Sequence, residues 1–265
     1  MHYGLPRKVI SRIIIPSDMK RAVRWAKTIF MILFILGTIT LGHGIARWKV
    51  GAPPSTPGPE DVLDAIYNTS STVVEWEINW TTEDGTTSTR GIVLTESNAI
   101  TGVSRVTRAN GGFRGVKTVR WNGRVAKIRG LTILGNLSLP RYENRTMNFS
   151  EVIPLVLPIA SVSAAFDLGF GKYTDKVNVT CAGNTCTVTV VRTSKEGGIK
   201  GTAVFVGSRL REIKTIITYR DSMEETIVWF SYPGEAGYGE RNERLTEEIR
   251  KAEELLSLTS MERPI

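Results

Sequence analysis

The chain has 265 residues, a formal net charge of +8 and a sequence pI near 9.6, values that on their own would suggest a nucleic-acid partner. Their placement excludes it: residues 1–50 hold nine basic side chains and one acid, while the rest of the chain carries 25 of each sign. The basic excess therefore belongs to one N-terminal flank, and the remaining length suits one domain able to bury its own core.

Residues 1–27 form a basic segment, expected to be cytoplasmic under the positive-inside rule. Thr28 to Ala46 reads TIFMILFILGTITLGHGIA, with no carboxylate, Lys or Arg, and is expected to be a transmembrane helix. Trp25 and Trp48 flank it where indoles favour the membrane interface. A cleaved signal peptide is the competing reading, since Gly44 and Ala46 supply small residues at the −3 and −1 positions. Met19, followed by Lys20 and Arg21, is an alternative start that leaves this topology unchanged. His43 sits within a turn of the outer interface and reads as an interfacial imidazole.

Residues 47–59 are a Pro-rich linker, APPSTPGP at its centre, that leans to polyproline II. An extracytoplasmic β-rich domain is expected over 60–236, opening with a helix from Glu60 to Tyr67. Val73 to Trp80 alternates cleanly, with Val74, Trp76, Ile78 and Trp80 on one side and Glu75, Glu77 and Asn79 on the other. A strand at Gly91–Thr95 follows, then a hairpin over Lys117–Ile128 around Asn122-Gly123. Ser150 to Leu168 is apolar but interrupted by Pro154 and Pro158, so it reads as a kinked helix, or a helix plus a loop, lying on the sheet rather than a second span. A meander follows: 176–181, 186–192, 200–206, 210–219 and 224–232. Residues 237–258 form an amphipathic C-terminal helix whose stripe is Leu245, Ile249, Ala252 and Leu256, and 259–265 are a tail. The stripe suits docking on its own domain; a short coiled coil with a protein partner is the sharper alternative.

Cys181 and Cys186 flank an AGNT turn between two strand-like runs, which makes them cross-strand neighbours and a disulfide pair, suited to an oxidising exterior. Asn68, Asn79, Asn136, Asn144, Asn148 and Asn178 begin N-x-S/T triplets and are candidate glycosylation sites. The Thr-rich composition of strands is the bland source of the same triplets. From 98 to 141 there is no acid, while Arg105, Arg108, Arg114, Lys117, Arg120, Arg124 and Lys127 accumulate. They read as a solvated face balanced by the C-terminal helix, or as a cationic surface for lipid headgroups or an anionic glycan. Trp76, Trp80, Trp121 and Trp229 fall on expected strands, as core or as the lining of an apolar pocket. Both histidines, His2 and His43, lie in or before the anchor, so no triad, Cys-His pair or His-ligated metal is available to the outer domain. No enzyme activity, cofactor or metal is expected, and a hydrolase acting through paired carboxylates is a distant alternative.

The opening DVLDAIYNTSSTVVEWEINW, the hairpin VKTVRWNGRVAKI and the closing GTAVFVGSRLREIKTIITYRDSMEETIVWFSY together resemble the lipoprotein-carrier (LolA/LolB-like) superfamily over residues 60–232. The resemblance is one of element order and hydrophobicity. It implies an α+β, mainly β fold: a curved antiparallel sheet, an incomplete barrel with a few helices, here preceded by one transmembrane helix. It also implies an apolar cavity. The functional expectation is a single-pass membrane protein, N-terminus cytoplasmic, whose outer domain shelters a lipid or a lipidated protein. The alternative is a surface structural or sensory protein without a ligand cavity, acting through protein contacts at the C-terminal helix or the basic stretch.

Overall fold

The computed structural model describes residues 56–108, 112–134, 137–169 and 173–261. The expected cytoplasmic segment, transmembrane helix and most of the linker lie outside the described residues, as does Asn136. Among the described residues no single helix is long and apolar enough to cross a membrane.

Helix α1 (Pro59–Tyr67) starts with proline in its first turn, and the Gly58 amide donates to Asp61 Oδ2 at 2.7 Å. Six strands follow: β1 (Thr72–Thr82), β2 (Gly85–Glu96), β3 (Ala99–Arg108), β4 (Phe113–Trp121), β5 (Val125–Leu134) and β6 (Leu137–Thr146). Helices α2 (Phe149–Val156) and α3 (Ile159–Phe166) come next. Strands β7 (Thr174–Ala182), β8 (Thr185–Thr193), β9 (Gly197–Val206), β10 (Arg209–Tyr219) and β11 (Ser222–Ser231) precede the last helix, α4 (Tyr238–Met261).

All eleven strands belong to one open antiparallel sheet in the order β6-β5-β4-β3-β2-β1-β11-β10-β9-β8-β7. It consists of two meanders, β1–β6 and β7–β11, joined where the first and last strands pair, Val73 opposite Ser231 and Trp76 opposite Val228. The chain must pass from one outer edge, β6, to the other, β7. That crossing is made by α2 and α3, so this apolar segment lies over a sheet face.

Period-2 alternation sends two sets of side chains to opposite faces. The inner face carries Val74, Trp76, Val93, Ile100, Val119, Trp121, Ala203, Phe205, Ile213, Val228 and Phe230 in one buried cluster with residues from α1, α2 and α3. The outer face carries a smaller cluster, in which Val73, Ile92, Val103, Val116 and Leu131 meet Leu245, Ile249, Ala252 and Leu256 of α4. The whole expected stripe of the last helix is thus spent on its own sheet, and the coiled-coil alternative loses its seam. The five-strand meander and the Asn122-Gly123 hairpin stand close to where the sequence places them. Strands β3 and β6 are additions to that reading, and β2 runs several residues further toward its N-terminus.

Candidate functional site

The inner face is closed by α2 and α3, and the fastening of that pair is the most specific chemistry there. Asn148 caps α2: its Oδ1 accepts from the Glu151 amide at 3.0 Å, while Glu151 Oε2 accepts from the Asn148 amide at 2.8 Å. Leu157 is extended, as the residue before Pro158 tends to be, so α2 stops there and α3 leaves at 100° to it. Two indoles hold α2 by its ends. Trp121 Nε1 donates to the Met147 carbonyl at 2.8 Å, just before the cap, and Trp76 Nε1 donates to the Val156 carbonyl at 2.7 Å, at the last residue. Trp76 fits because Gly91 opposes it across the strand pair; a Cβ at Gly91 would lie 2.4 Å from Trp76 Cε2.

The C-terminal end of α3 is held by Arg192 of β8, which is fully buried. Its Nη1 donates to the carbonyls of Ala164 at 2.8 Å and Asp167 at 2.7 Å, its Nε donates to Asp175 Oδ1 at 2.9 Å, and its guanidinium stacks on Tyr173 at 4.7 Å. A cation placed on terminal carbonyls meets both their unmet hydrogen bonds and the negative end of the helix dipole. Ser161 of α3 also donates to Glu224 of β11. Gly201 lets Phe166 lie on β9, since a Cβ there would come within 2.9 Å of the ring.

The four tryptophans expected to line a cavity do not come together. Trp76 and Trp121 are buried under α2, Trp80 opposite Glu224 is 48% exposed, and Trp229 lies on the outer face opposite Glu75. Side chains of α1, α2 and α3 pack against this inner face.

The basic stretch is likewise divided. Arg105 pairs with Glu248 of α4 at 3.0 Å and Arg120 with Glu253 at 2.8 Å, both on the outer face. Lys117 falls on the inner face with Val119 and Trp121, in one cross-strand row with Gly130 and Arg141. Burial lowers its ammonium below the ordinary range, and the charge of Arg141 adds to the effect. Arg124 lies in the turn between β4 and β5, its amide on Asn122 Oδ1. Arg114 lies on β4, and Arg108 ends β3 at the rim of the cleft described next.

A cleft of about 780 Å³ opens on the outer face beside the first half of α4. Its apolar floor is Ile92, Val103 and Trp229; Arg244 and Glu248 of α4 overhang it. Glu75 meets Arg241 and Arg244, and Glu77 meets Arg90 at 3.0 Å. Burial raises the Glu77 carboxyl, but hydrogen bonds from Arg90, Asn79 and Ser88 together with the Arg90 charge outweigh it and leave the group below its ordinary value. Glu75 and Glu77, which the sequence presents as a plain solvent face, are therefore parts of a built wall. Ser88, Arg90, Arg244 and Glu248 carry no sequence signal of their own; the strand register brings Ser88 and Arg90 to Glu77, and the docking of α4 brings Arg244 to Glu75 and Glu248 to Arg105.

Cys181 and Cys186 form a disulfide across β7 and β8, with Cα atoms 4.1 Å apart. Asn68, Asn144, Asn148 and Asn178 are exposed, while Asn79 is half-buried in the cleft wall.

No protein-family model and no curated protein matches the chain. Among solved structures it is similar to a DUF1329 family protein from Desulfovibrio piger, at 10% identity over 70% of this chain and 96% of that one, with a TM-score of 0.29. It is also similar to Rv2717c from M. tuberculosis, at 7% identity over 67% of this chain and 99% of that one, with a TM-score of 0.24. At such TM-scores the likeness carries no argument, and the functional reading rests on the geometry of this chain.

Proposed function

We propose that the chain is a single-pass, membrane-anchored binding protein whose extracytoplasmic domain shelters an apolar chain, of a lipid or a lipidated protein, between the inner sheet face and the α2–α3 segment. The carrying observation is that this apolar face is covered by two eight-residue helices held at a few discrete points, rather than by a second sheet. Helices of that length are not stable alone, so their place depends on packing and on those fastenings. The pair can lift as a cover, and the face it leaves matches an acyl chain in polarity. The carboxylate-free run at 28–46 and the basic flank before it support the anchor and its orientation, and the disulfide suits an oxidising exterior. The reading through protein contacts at the last helix is the weaker one, because its apolar stripe is already buried.

The test uses the fragment from Thr56 onward and a fluorescent fatty acid, with native mass spectrometry as the second readout. Trp76→Phe and Trp121→Phe each remove one indole hydrogen bond and keep an aromatic ring. A net bond of about 1 kcal/mol shifts the opening equilibrium about fivefold, so each variant should gain uptake of that order. A wild-type fragment and two variants that all remain free of lipid would overturn the proposal. Protease added to sealed cells checks the placement: it should remove the domain from the outside.

A further inference from the structure

We propose that the cleft beside α4 is a saccharide-binding site. Three ion pairs line it, Glu77 with Arg90, Glu248 with Arg105 and Glu75 with Arg244, and Arg108 at the rim stands outside these pairs. Side chains paired in this way are already neutralised and offer hydrogen bonds rather than a bare charge. They present planar carboxylate and guanidinium edges, whose remaining lone pairs and N–H groups suit the paired hydroxyls of a sugar ring. Trp229 supplies a flat apolar face in the floor for the C–H side of such a ring. The volume of about 780 Å³ is within the roughly 300–1,000 Å³ of small-ligand sites and leaves room for more than one ring.

Asn79 gives the cleft a source of saccharide within the chain. It begins Asn79-Trp80-Thr81, an acceptor triplet, and it lies in the cleft wall with its Nδ2 donating to Glu77 Oε1 at 3.0 Å. A glycan attached there starts at the cleft wall, with Arg90 and Trp229 in the same lining. The same chemistry can instead take a glycan presented by another molecule. The first source rests on the extracytoplasmic placement proposed above; the second does not.

The experiment uses the full chain in a non-glycosidic detergent, produced once in a host that N-glycosylates exported proteins and once in a host that does not. For an attached glycan, peptide mapping finds Asn79 occupied, and an endoglycosidase releases its sugar from the native protein at least tenfold more slowly than that of Asn144 on the open edge strand. Trp229→Ala and Arg90→Gln each abolish the difference. For a glycan from elsewhere, the unglycosylated protein binds members of an immobilised oligosaccharide panel, and each variant weakens binding at least tenfold. Arg90 is largely exposed, so Arg90→Gln tests the site even if Trp229→Ala fails to fold. Occupancy at Asn144 or Asn178 with Asn79 bare and no panel binding sinks the saccharide site and leaves export standing. No occupancy at any triplet and no panel binding counts against both. Protection or binding that ignores both variants also overturns the assignment.

Discussion

Arg192 is the residue with most at stake, because a buried guanidinium persists only when its donors are met. Here they reach two helix-end carbonyls and Asp175, with Tyr173 beneath the plane. Arg192→Met keeps a long apolar stem but leaves those carbonyls unpaired, and should cost about 3–5 kcal/mol by chemical denaturation. Asp175→Asn keeps an acceptor at the solvent side and should cost about 1 kcal/mol. Equal losses from the two would show that the acid, rather than the helix end, is the main partner. Lys117 is the opposite case, a half-buried ammonium facing Arg141 across Gly130. Its folded pKa lies below the unfolded value, so the unfolded state binds the proton more tightly and the penalty on folding is full at neutral pH. That penalty fades as pH rises toward 10.5. Lys117→Met should therefore stabilise by about 0.5–1 kcal/mol at pH 7, with the gain shrinking in titrated melts above pH 9. Neither role was legible from sequence: Arg192 reads as the last residue of a strand, and Lys117 as one member of a basic face. A residue's partners across a sheet depend on register, which composition does not carry.

At the scale of elements, hairpins and helices with strong local signals were readable and the edges were not. Asn122-Gly123, with Gly123 at φ +86°, marks the β4–β5 turn, and Pro154 and Pro158 mark the broken helix pair. Strand β6 escaped because an edge strand has only one neighbour and need not alternate; Pro140 and the charges at 141, 143 and 145 read as loop. Those same features blunt that edge against pairing with another chain. The opposite edge, β7, is almost wholly exposed and is tied to β8 by the disulfide. The closed loop is short, so the chain-entropy contribution is about 2 kcal/mol, and it is local. Cys181→Ser with Cys186→Ser should therefore speed amide exchange in β7 and the adjoining turn, while β1, β2 and β11 keep their protection. Faster exchange across the whole sheet would mean that β7 is part of the cooperative unit and not a pinned edge.

At the scale of the molecule, the two meanders are joined in the sheet by β1 and β11, from Thr81 opposite Met223 to Val73 opposite Ser231, across most of the described chain. Local pattern cannot announce such a join, which is why the strands of the second meander were readable and their place in the sheet was not. The resemblance to an incomplete barrel anticipated a mainly β antiparallel fold with helices; the open sheet with helices on both faces is what the chain adopts. The two faces bury separate clusters on opposite sides of the same strands, and this gives the cover proposal a control. Ile249 lies on the buried face of α4, far in sequence from either cover helix, and Ile249→Ala should cost about 2–4 kcal/mol through the cavity it leaves. If fatty-acid uptake reports the lifting of α2 and α3, this variant should melt earlier yet take up no more probe than wild type at a temperature where both are folded. Trp76→Phe should show the reverse, a smaller loss of stability and a larger gain of uptake. If Ile249→Ala gains uptake in proportion to its lost stability, uptake is reporting global unfolding, and the inner face has no cover that moves by itself.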